Sequence, residues 1–270
     1  MTTAPARPSG FPLSMFDPVH VAMDETGKPV HLDFADHMGI VLAGEPGAGK
    51  STGLASIVGH GALSGDCRLT LMDGALVELG AWRSCADVFI GPDINAAIAV
   101  LEAEQQLIND RCEMLLDTGR RKIAKGDGHD MHLVVIDELA YYSATVGTKA
   151  EREKFTVTLR DGAARGRKCA VRYVVATQRP SFDIIPTSLR DLFGYRWAFR
   201  CATDDSSDVV LGKHWAARGY TAAAIDVQAR GVGLLLAEGK RVPRRVKAAW
   251  LDDHEVARIA AYAAALRGRA

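Results

Sequence analysis

The chain has 270 residues, of which 48% are apolar and 24% charged, and its 33 basic side chains equal its 33 acidic ones. This is an ordinary soluble composition, and one large α/β domain is a simpler interpretation of the length than two small ones. The balance of charge excludes nucleic-acid binding through the overall charge, so any DNA contact would need a local basic cluster.

Cysteines, histidines and hydropathy exclude three further classes of protein. The five cysteines are scattered without a C-x-x-C pair, which argues against a disulfide framework or a zinc site and favours a reducing cytoplasm. The eight histidines show no metal-ligand spacing. No run of about 18 apolar residues and no signal-peptide segment occur, so we expect a cytoplasmic protein without a membrane-spanning segment.

The start of the chain carries Pro5, Pro8 and Pro12 among small residues. We therefore expect residues 1–26 to form a flexible N-terminal tail and residues 27–270 to form one domain. Within that domain, residues 30–34 alternate apolar and polar side chains, which predicts a strand.

The first segment with a chemical signature follows the short apolar strand expected at residues 40–43. It matches the phosphate-loop pattern G-x-x-x-x-G-K-[ST] at every fixed position with Gly44, Glu45, Pro46, Gly47, Ala48, Gly49, Lys50 and Ser51. The glycines permit a tight turn in which backbone N–H groups and the N-terminus of the next helix point at phosphates. We predict that this loop and Thr52 bind ATP, with Lys50 on the terminal phosphates and Ser51 on Mg²⁺.

The segments between this loop and the next motif predict further α/β elements. Strands are expected at residues 68–72 and 88–91, and Asp93 is expected to cap a helix that runs to about Asp117. The following loop, residues 119–130, is basic because it contains Arg120, Arg121, Lys122 and Lys125. An apolar strand, residues 131–136, then ends in two carboxylates.

These two carboxylates, Asp137 and Glu138, lie at the strand end where open α/β sheets bind ligands. Asp137 is expected to hold Mg²⁺ through water, and Glu138 to orient and deprotonate the attacking water. A second acid favours a motor ATPase over a small-molecule kinase. Gln178 follows the next predicted strand, residues 171–176, where it either senses the terminal phosphate or caps the turn before Pro180.

The remaining pattern continues the α/β arrangement. We expect a helix over residues 149–168, a short helix over 189–193 and a strand over 196–200. Thr203 is expected to cap a helix that ends at Leu211, and residues 232–237 and 242–250 to form a hairpin. Asp252 or Asp253 is expected to cap a final helix.

Several of these motifs together resemble the motor domain of the FtsK/SpoIIIE family of DNA translocases. The resemblance covers roughly residues 27–250 and is carried by the runs 27–30, 44–51, 134–138, 176–181, 196–200, 205–211 and 231–235. The Thr-Gln-Arg-Pro-Ser run at 177–181 is quite specific to that family. The resemblance implies a RecA-like P-loop fold with a mainly parallel sheet flanked by helices. It also implies a homo-oligomeric ring, usually a hexamer, around double-stranded DNA.

The family resemblance further implies that an arginine from the neighbouring subunit completes each ATP site. Arg196 is the first candidate for this trans arginine, Arg200 the second and Arg111 the third. Each can instead be a surface salt-bridge residue. Ser206-Ser207-Asp208 replaces the family's usual Asp-Ser-Arg, so no arginine is expected to act there.

Three basic groups are candidates for DNA contacts. The first is the basic loop with Arg120, Arg121, Lys122 and Lys125. The second contains Arg160, Arg165, Arg167, Lys168 and Arg172, and the third Lys240, Arg241, Arg244, Arg245 and Lys247. The second and third groups can each instead be a solvated surface.

The resemblance to short forms of the family, like the transfer proteins of actinobacterial plasmids and integrative elements, suggests a setting. We expect ATP-driven translocation of double-stranded DNA in conjugative transfer or chromosome partitioning, which leaves room for a membrane-bound partner. The alternative is a type VII secretion-like ATPase module that acts on protein substrates. Residues 189–194 of this chain resemble a run in that family. Such proteins carry several motor modules, whereas one is evident here.

Overall fold

A computed structural model describes residues 10–269, and the start of the expected tail, residues 1–9, lies outside the described part. In this described part of the chain, ten strands form one sheet. They are β1 (Val19–Asp24), β2 (Pro29–Leu32), β3 (Gly39–Ala43), β4 (Cys67–Met72), β5 (Val88–Ile90), β6 (Met131–Ile136), β7 (Val171–Thr177), β8 (Tyr195–Phe199), β9 (Val232–Ala237) and β10 (Arg244–Ala248). Within residues 10–269, six α-helices accompany them: α1 (Lys50–Ala62), α2 (Ile94–Asp117), α3 (Lys149–Arg165), α4 (Thr187–Arg190), α5 (Asp204–Leu211) and α6 (Asp253–Leu266).

The sheet has the order β2-β1-β10-β9-β8-β3-β7-β6-β4-β5. The strands from β8 to β5 are parallel, and the pairs from β8 to β2 are antiparallel. Every residue of the central strands β3 and β7 is buried, which explains the continuous apolar sequence of β3. The expected α/β architecture with a mainly parallel sheet flanked by helices is confirmed.

The two faces of the parallel half are covered by different helices. α1 packs on one face, where Gly53 lies against Leu42 and Trp197, and α6 packs against α1. α3 packs on the other face, where Gly162 lies against Tyr173, and α2 packs against α3. Because side chains alternate along a strand, Trp197 and its neighbour Arg196 point to opposite faces of the sheet.

The expectation of a flexible tail over residues 1–26 is wrong for Val19–Asp24, which form β1. This strand pairs with both β2 and β10, and its side chains Val19, Val21 and Ala22 are buried. Gly27, at a positive φ of 78°, forms the turn between β1 and β2. The proline-rich start led to the prediction of a tail that included this segment. Its apolar side chains are buried by residues that are distant in sequence.

Most predicted element boundaries agree with the structure. Asp93 accepts from the Asn95 and Ala96 N–H groups at the start of α2, and Thr203 and Asp252 cap α5 and α6. The helix expected to reach residue 168 instead ends at Arg165 and continues as a 3₁₀ turn. Among the helices within residues 10–269, none is long and apolar enough to cross a membrane.

Candidate nucleotide site

The phosphate loop lies between the carboxyl ends of β3, β7 and β8. The Gly44 N–H donates to the carbonyl oxygen of Thr177 at 3.3 Å, and the Glu45 N–H donates to that of Arg200 at 2.9 Å. These bonds attach the first half of the loop to both neighbouring strands. α1 begins at Lys50, so the positive end of its helix dipole lies at the loop, as an anion site requires.

Gly49 is required by a close approach between the loop and the start of β9. Its φ is 103°, and a Cβ atom there would lie 2.4 Å from the Gly231 nitrogen. The Gly231 N–H donates to the carbonyl oxygen of Ala48 at 2.9 Å. A side chain at residue 49 would therefore separate the loop from the segment that forms the opposite wall of the site.

Lys50 and Asp137 form a buried ion pair at the centre of the site. The Lys50 Nζ lies 2.7 Å from Asp137 Oδ1 and also donates to the Asp137 carbonyl oxygen at 3.3 Å. The two side chains are 4% and 2% exposed. Burial raises the pKa of the Asp137 carboxyl, and the Lys50 ammonium opposes that shift. A bound phosphate must therefore compete with Asp137 for the lysine.

Glu138 is oriented by three donors at the end of β6. Its Oε1 accepts from the Thr177 hydroxyl and from the Ala140 N–H at 3.2 Å, and its Oε2 accepts from the Gln178 N–H at 2.8 Å. The carboxylate is thus fixed beside β7, next to the Lys50–Asp137 pair. The sequence predicted Glu138 and Gln178, but it did not predict that Thr177 holds Glu138.

The site opens into a cavity of about 640 Å³. One wall is the phosphate loop with Lys50, Ser51 and Thr52, and Gln178 and Glu78 also line the space. The other wall comes from Gln228, Arg230, Gly231, Lys247, Ala248 and Trp250, none of which the sequence pattern had marked as nucleotide contacts. The structure therefore brings together every predicted phosphate-loop residue, Asp137, Glu138 and Gln178, and their roles in catalysis stay predictions.

The donor set of this site fits Mg²⁺. Ser51 supplies a hydroxyl beside the cavity, and Asp137 a carboxylate at the end of β6. Mg²⁺ prefers a small number of hard oxygen ligands from the protein, with the remainder from phosphates and water. Ser51 and Asp137 are therefore the residues that would hold the ion.

Two of the three candidates for a trans arginine, Arg111 and Arg200, make contacts within their own chain. Arg111 is buried and donates to the carbonyl oxygens of Cys169 and Asp130 at 2.7 and 2.9 Å, so the prediction that it reaches a neighbouring subunit is wrong. Arg200 forms an ion pair with Glu45 and so steadies the phosphate loop of its own chain. This contact links β8 to the loop in a way that the sequence did not indicate.

Arg196 lies away from its own nucleotide site. Its guanidinium donates to the Leu211 carbonyl oxygen at 3.0 Å and lies 3.4 Å from Asp191. Burial lowers the pKa of this arginine, and Asp191 opposes the shift. Arg196 lines a second cavity, of about 760 Å³, near the amino ends of β3 and β8. An arginine that acts on a neighbour's site must lie apart from its own, so this position is compatible with the predicted role.

The basic loop lies at the amino end of β6, opposite the phosphate loop, and most of its charges are paired. Arg120 forms an ion pair with Asp127, and Lys122 and Lys125 lie 2.6 Å from carboxylates of Asp36 and Asp17. Arg121 is exposed, with no ion pair recorded to any residue in the described range. The local positive charge is therefore smaller than the sequence suggested.

The second and third basic groups are also divided by the fold. Arg165 pairs with Asp161 at 2.6 Å, whereas Arg167 is exposed and lies 3.8 Å from Glu238. Arg172 was expected on this surface, but it is buried and donates to the Phe34 and Ala35 carbonyl oxygens, so that prediction is wrong. Burial lowers the pKa of Arg172 to about 10.

Members of the third group lie in two different places in the structure. Lys247 lines the nucleotide cavity, and Lys240 lines the cavity that contains Arg196. These side chains therefore do not form one DNA-binding surface.

Comparison with known proteins gives one family match and several relatives. The sequence model of the FtsK/SpoIIIE family matches residues 14–237. A curated relative, "DNA translocase FtsK 2" of Ralstonia nicotianae, is 26% identical over 269 residues, covering 87% of this chain and 33% of its own length. The chain spans about a third or less of the curated relatives that it matches first.

Two solved structures illustrate the likeness in fold. The pCW3 conjugation coupling protein TcpA, solved with ATPγS, superposes with a TM-score of 0.72 at 20% identity, over 90% of this chain and 69% of that one. The type VII secretion ATPase EccC of Thermomonospora curvata gives 0.71 at 20% identity, over 99% of this chain and 33% of that one. The expected P-loop ATPase fold is confirmed, but likeness at this identity does not distinguish between the two functions.

Proposed function

Because the chain belongs to the FtsK/SpoIIIE family, whose members are ATPases, we propose that it uses ATP hydrolysis to translocate double-stranded DNA. The observation that carries the proposal is the position of Glu138. Its carboxylate is held by Thr177 and Gln178 beside the Lys50–Asp137 pair, where a general base for the attacking water is needed.

The chemistry assigned to the residues is that of phosphoryl transfer to water. Lys50 and the N–H groups of the phosphate loop hold the phosphates, and Glu138 accepts a proton from the attacking water. Ser51 and Asp137 would hold Mg²⁺, which would supply positive charge beside the phosphates. Gln178 lines the cavity next to Glu138 and can sense the terminal phosphate through its amide.

The DNA substrate is supported by the relatives, which are named DNA translocases. The likeness to a conjugation coupling protein supports conjugative transfer of a plasmid or integrative element as the setting, with chromosome partitioning as the second setting. We propose a cytoplasmic homo-oligomer, a hexameric ring, that works with a membrane-bound partner. The likeness to a type VII secretion ATPase supports the alternative, a module that acts on protein substrates.

The decisive experiment measures ATP turnover with double-stranded DNA, with single-stranded DNA and without DNA. We expect double-stranded DNA to raise turnover several-fold above both other conditions, because a translocase couples hydrolysis to movement on its track. Heparin serves as a polyanion control, and the Glu138→Gln variant gives the background rate. Equal turnover in all conditions would contradict DNA translocation and favour the protein-substrate alternative.

The salt dependence of DNA binding tests which cations contact phosphates. A motor that moves over any sequence gains affinity mainly from counterion release, so affinity should fall steeply with salt and depend weakly on sequence. We assign the DNA contacts to six cations of the first two basic groups: Arg120, Arg121, Lys122, Lys125, Arg165 and Arg167. Of these, Arg121 and Arg167 are exposed, and neither has a carboxylate within about 3 Å in the described part of the chain. We expect the double variant with Arg121→Ala and Arg167→Ala to make the slope of log binding constant against log salt concentration shallower by about two.

The matched control replaces two lysines that already have carboxylate partners. Lys122 and Lys125 pair with Asp36 and Asp17, so Lys122→Ala with Lys125→Ala should change the slope by less than the arginine pair does. The measurement is titration of a fluorescent duplex at several salt concentrations. If the salt slope changes equally in both double variants, or in neither, the assignment of Arg121 and Arg167 to DNA contacts is wrong.

A further inference from the structure

Trp250 is an unusually exposed aromatic residue beside the nucleotide cavity. Its side chain is 66% exposed, whereas Trp82 and Trp197 are fully buried in the core. A large indole ring at the surface of a concave site gains free energy when a flat apolar group covers it. The ring therefore marks a place where a ligand of that shape can bind.

The backbone holds Trp250 in a defined position relative to the phosphate loop. Gly231 donates from its N–H to the Ala48 carbonyl oxygen at 2.9 Å, and its own carbonyl oxygen accepts from the Ala248 N–H at 2.8 Å. The hydroxyl of Ser56, on α1, donates to the Ala249 carbonyl oxygen at 3.2 Å. The residues immediately before Trp250 are thus hydrogen-bonded, directly or through one residue, to the phosphate loop and its helix.

The cavity has two walls, and the phosphate loop forms one of them. Lys50 and the N–H groups of the loop define the phosphate end, so the base of a bound nucleotide must lie towards the wall formed by Gln228, Arg230 and Trp250. Among the described residues that line the cavity, Trp250 is the only aromatic one. We propose that Trp250 is the platform on which the base of the bound nucleotide stacks.

This inference rests on the proposed use of ATP and adds the residue that binds its base. Stacking of a base on an aromatic side chain contributes roughly 1–3 kcal/mol, which corresponds to about a 5- to 150-fold change in affinity. Phosphate binding by Lys50 does not depend on the indole ring. Loss of the indole should therefore lower the affinity for ligands that carry a base and leave the affinity for ligands without a base unchanged.

The experiment compares ATP with inorganic tripolyphosphate, which has the phosphates but no base. Calorimetry on the full chain gives both dissociation constants for the wild type, Trp250→Ala and Trp250→Phe. We expect Trp250→Ala to weaken ATP binding by about ten- to a hundred-fold with unchanged tripolyphosphate binding, and Trp250→Phe to stay within a few-fold of the wild type. Trp215→Ala, in the cavity that contains Arg196, is the matched control and should change neither constant.

Four outcomes would overturn the inference. Unchanged ATP affinity in Trp250→Ala would show that the base lies elsewhere. If Trp250→Ala weakens the binding of ATP and of tripolyphosphate equally, the indole supports the fold. If Trp250→Ala changes the oligomeric state in sedimentation without an effect on ATP binding, the indole belongs to a subunit contact. If the wild type binds neither ligand, the nucleotide site itself is disproved and the proposed function fails with it.

Discussion

Glu138→Gln is expected to lower the rate of ATP turnover by about 10²- to 10⁴-fold while leaving the affinity for ATP nearly unchanged. The amide cannot take a proton from the attacking water, but the phosphate contacts of Lys50 and the loop do not involve residue 138. The Gln178 N–H and the Thr177 hydroxyl bind different oxygens of Glu138, so glutamine loses one acceptor of this arrangement. Calorimetry for binding and a phosphate-release assay for turnover measure the two effects separately.

The control for this variant is Glu113→Gln, which removes a carboxylate from the exposed surface of α2. Both its turnover and its ATP affinity should match those of the wild type. Normal turnover in Glu138→Gln would disprove the role of Glu138 as the base. A parallel loss of ATP affinity would instead indicate that the three hydrogen bonds of Glu138 maintain the shape of the site.

Arg196→Ala is expected to reduce turnover by about 10³-fold or more with ATP binding retained, because a trans arginine stabilises charge that develops only in the transition state. Arg196 is half-buried and bonded to the Leu211 carbonyl oxygen, so its loss also has a structural cost of about 1 kcal/mol. Activity alone therefore does not separate the two effects, whereas co-assembly does.

The co-assembly experiment mixes Arg196→Ala with Glu138→Gln, each inactive alone. In a mixed ring, a site with an intact Glu138 can receive Arg196 from its Glu138→Gln neighbour, so turnover should partly return. Lys50→Ala is a poorer partner, because it leaves the buried Asp137 carboxylate uncompensated, which costs about 3–5 kcal/mol. Glu138→Gln keeps that ion pair intact.

The control replaces Arg218, an exposed arginine whose guanidinium lies over the Trp215 ring, with alanine. Arg218→Ala should keep wild-type turnover alone and in mixtures. If Arg196→Ala is inactive alone and regains no turnover with Glu138→Gln, the arginine does not act across a subunit interface.

The elements that carry the chemistry of this protein were predictable from its sequence, because their signals are local. The phosphate loop is specified by glycines and a lysine within eight residues, and Asp137 and Glu138 follow directly from an apolar strand. Helix caps such as Asp93 and Thr203 were also predictable, because a cap bonds to the N–H groups two or three residues further along the chain.

The pairing of these groups, which limits what each can do, was not predictable from the sequence and became visible in the fold. Thr177 holds Glu138 and Arg200 holds Glu45 because parallel strands place residues distant in sequence at one sheet edge. Other contacts between residues distant in sequence assigned β1 to the sheet and buried Arg111 and Arg172. Carboxylates also lie beside Arg120, Lys122 and Lys125. A linear pattern records charge and hydrophobicity but not the partner across the sheet, and the electrostatic role of a buried or surface ion depends on that partner.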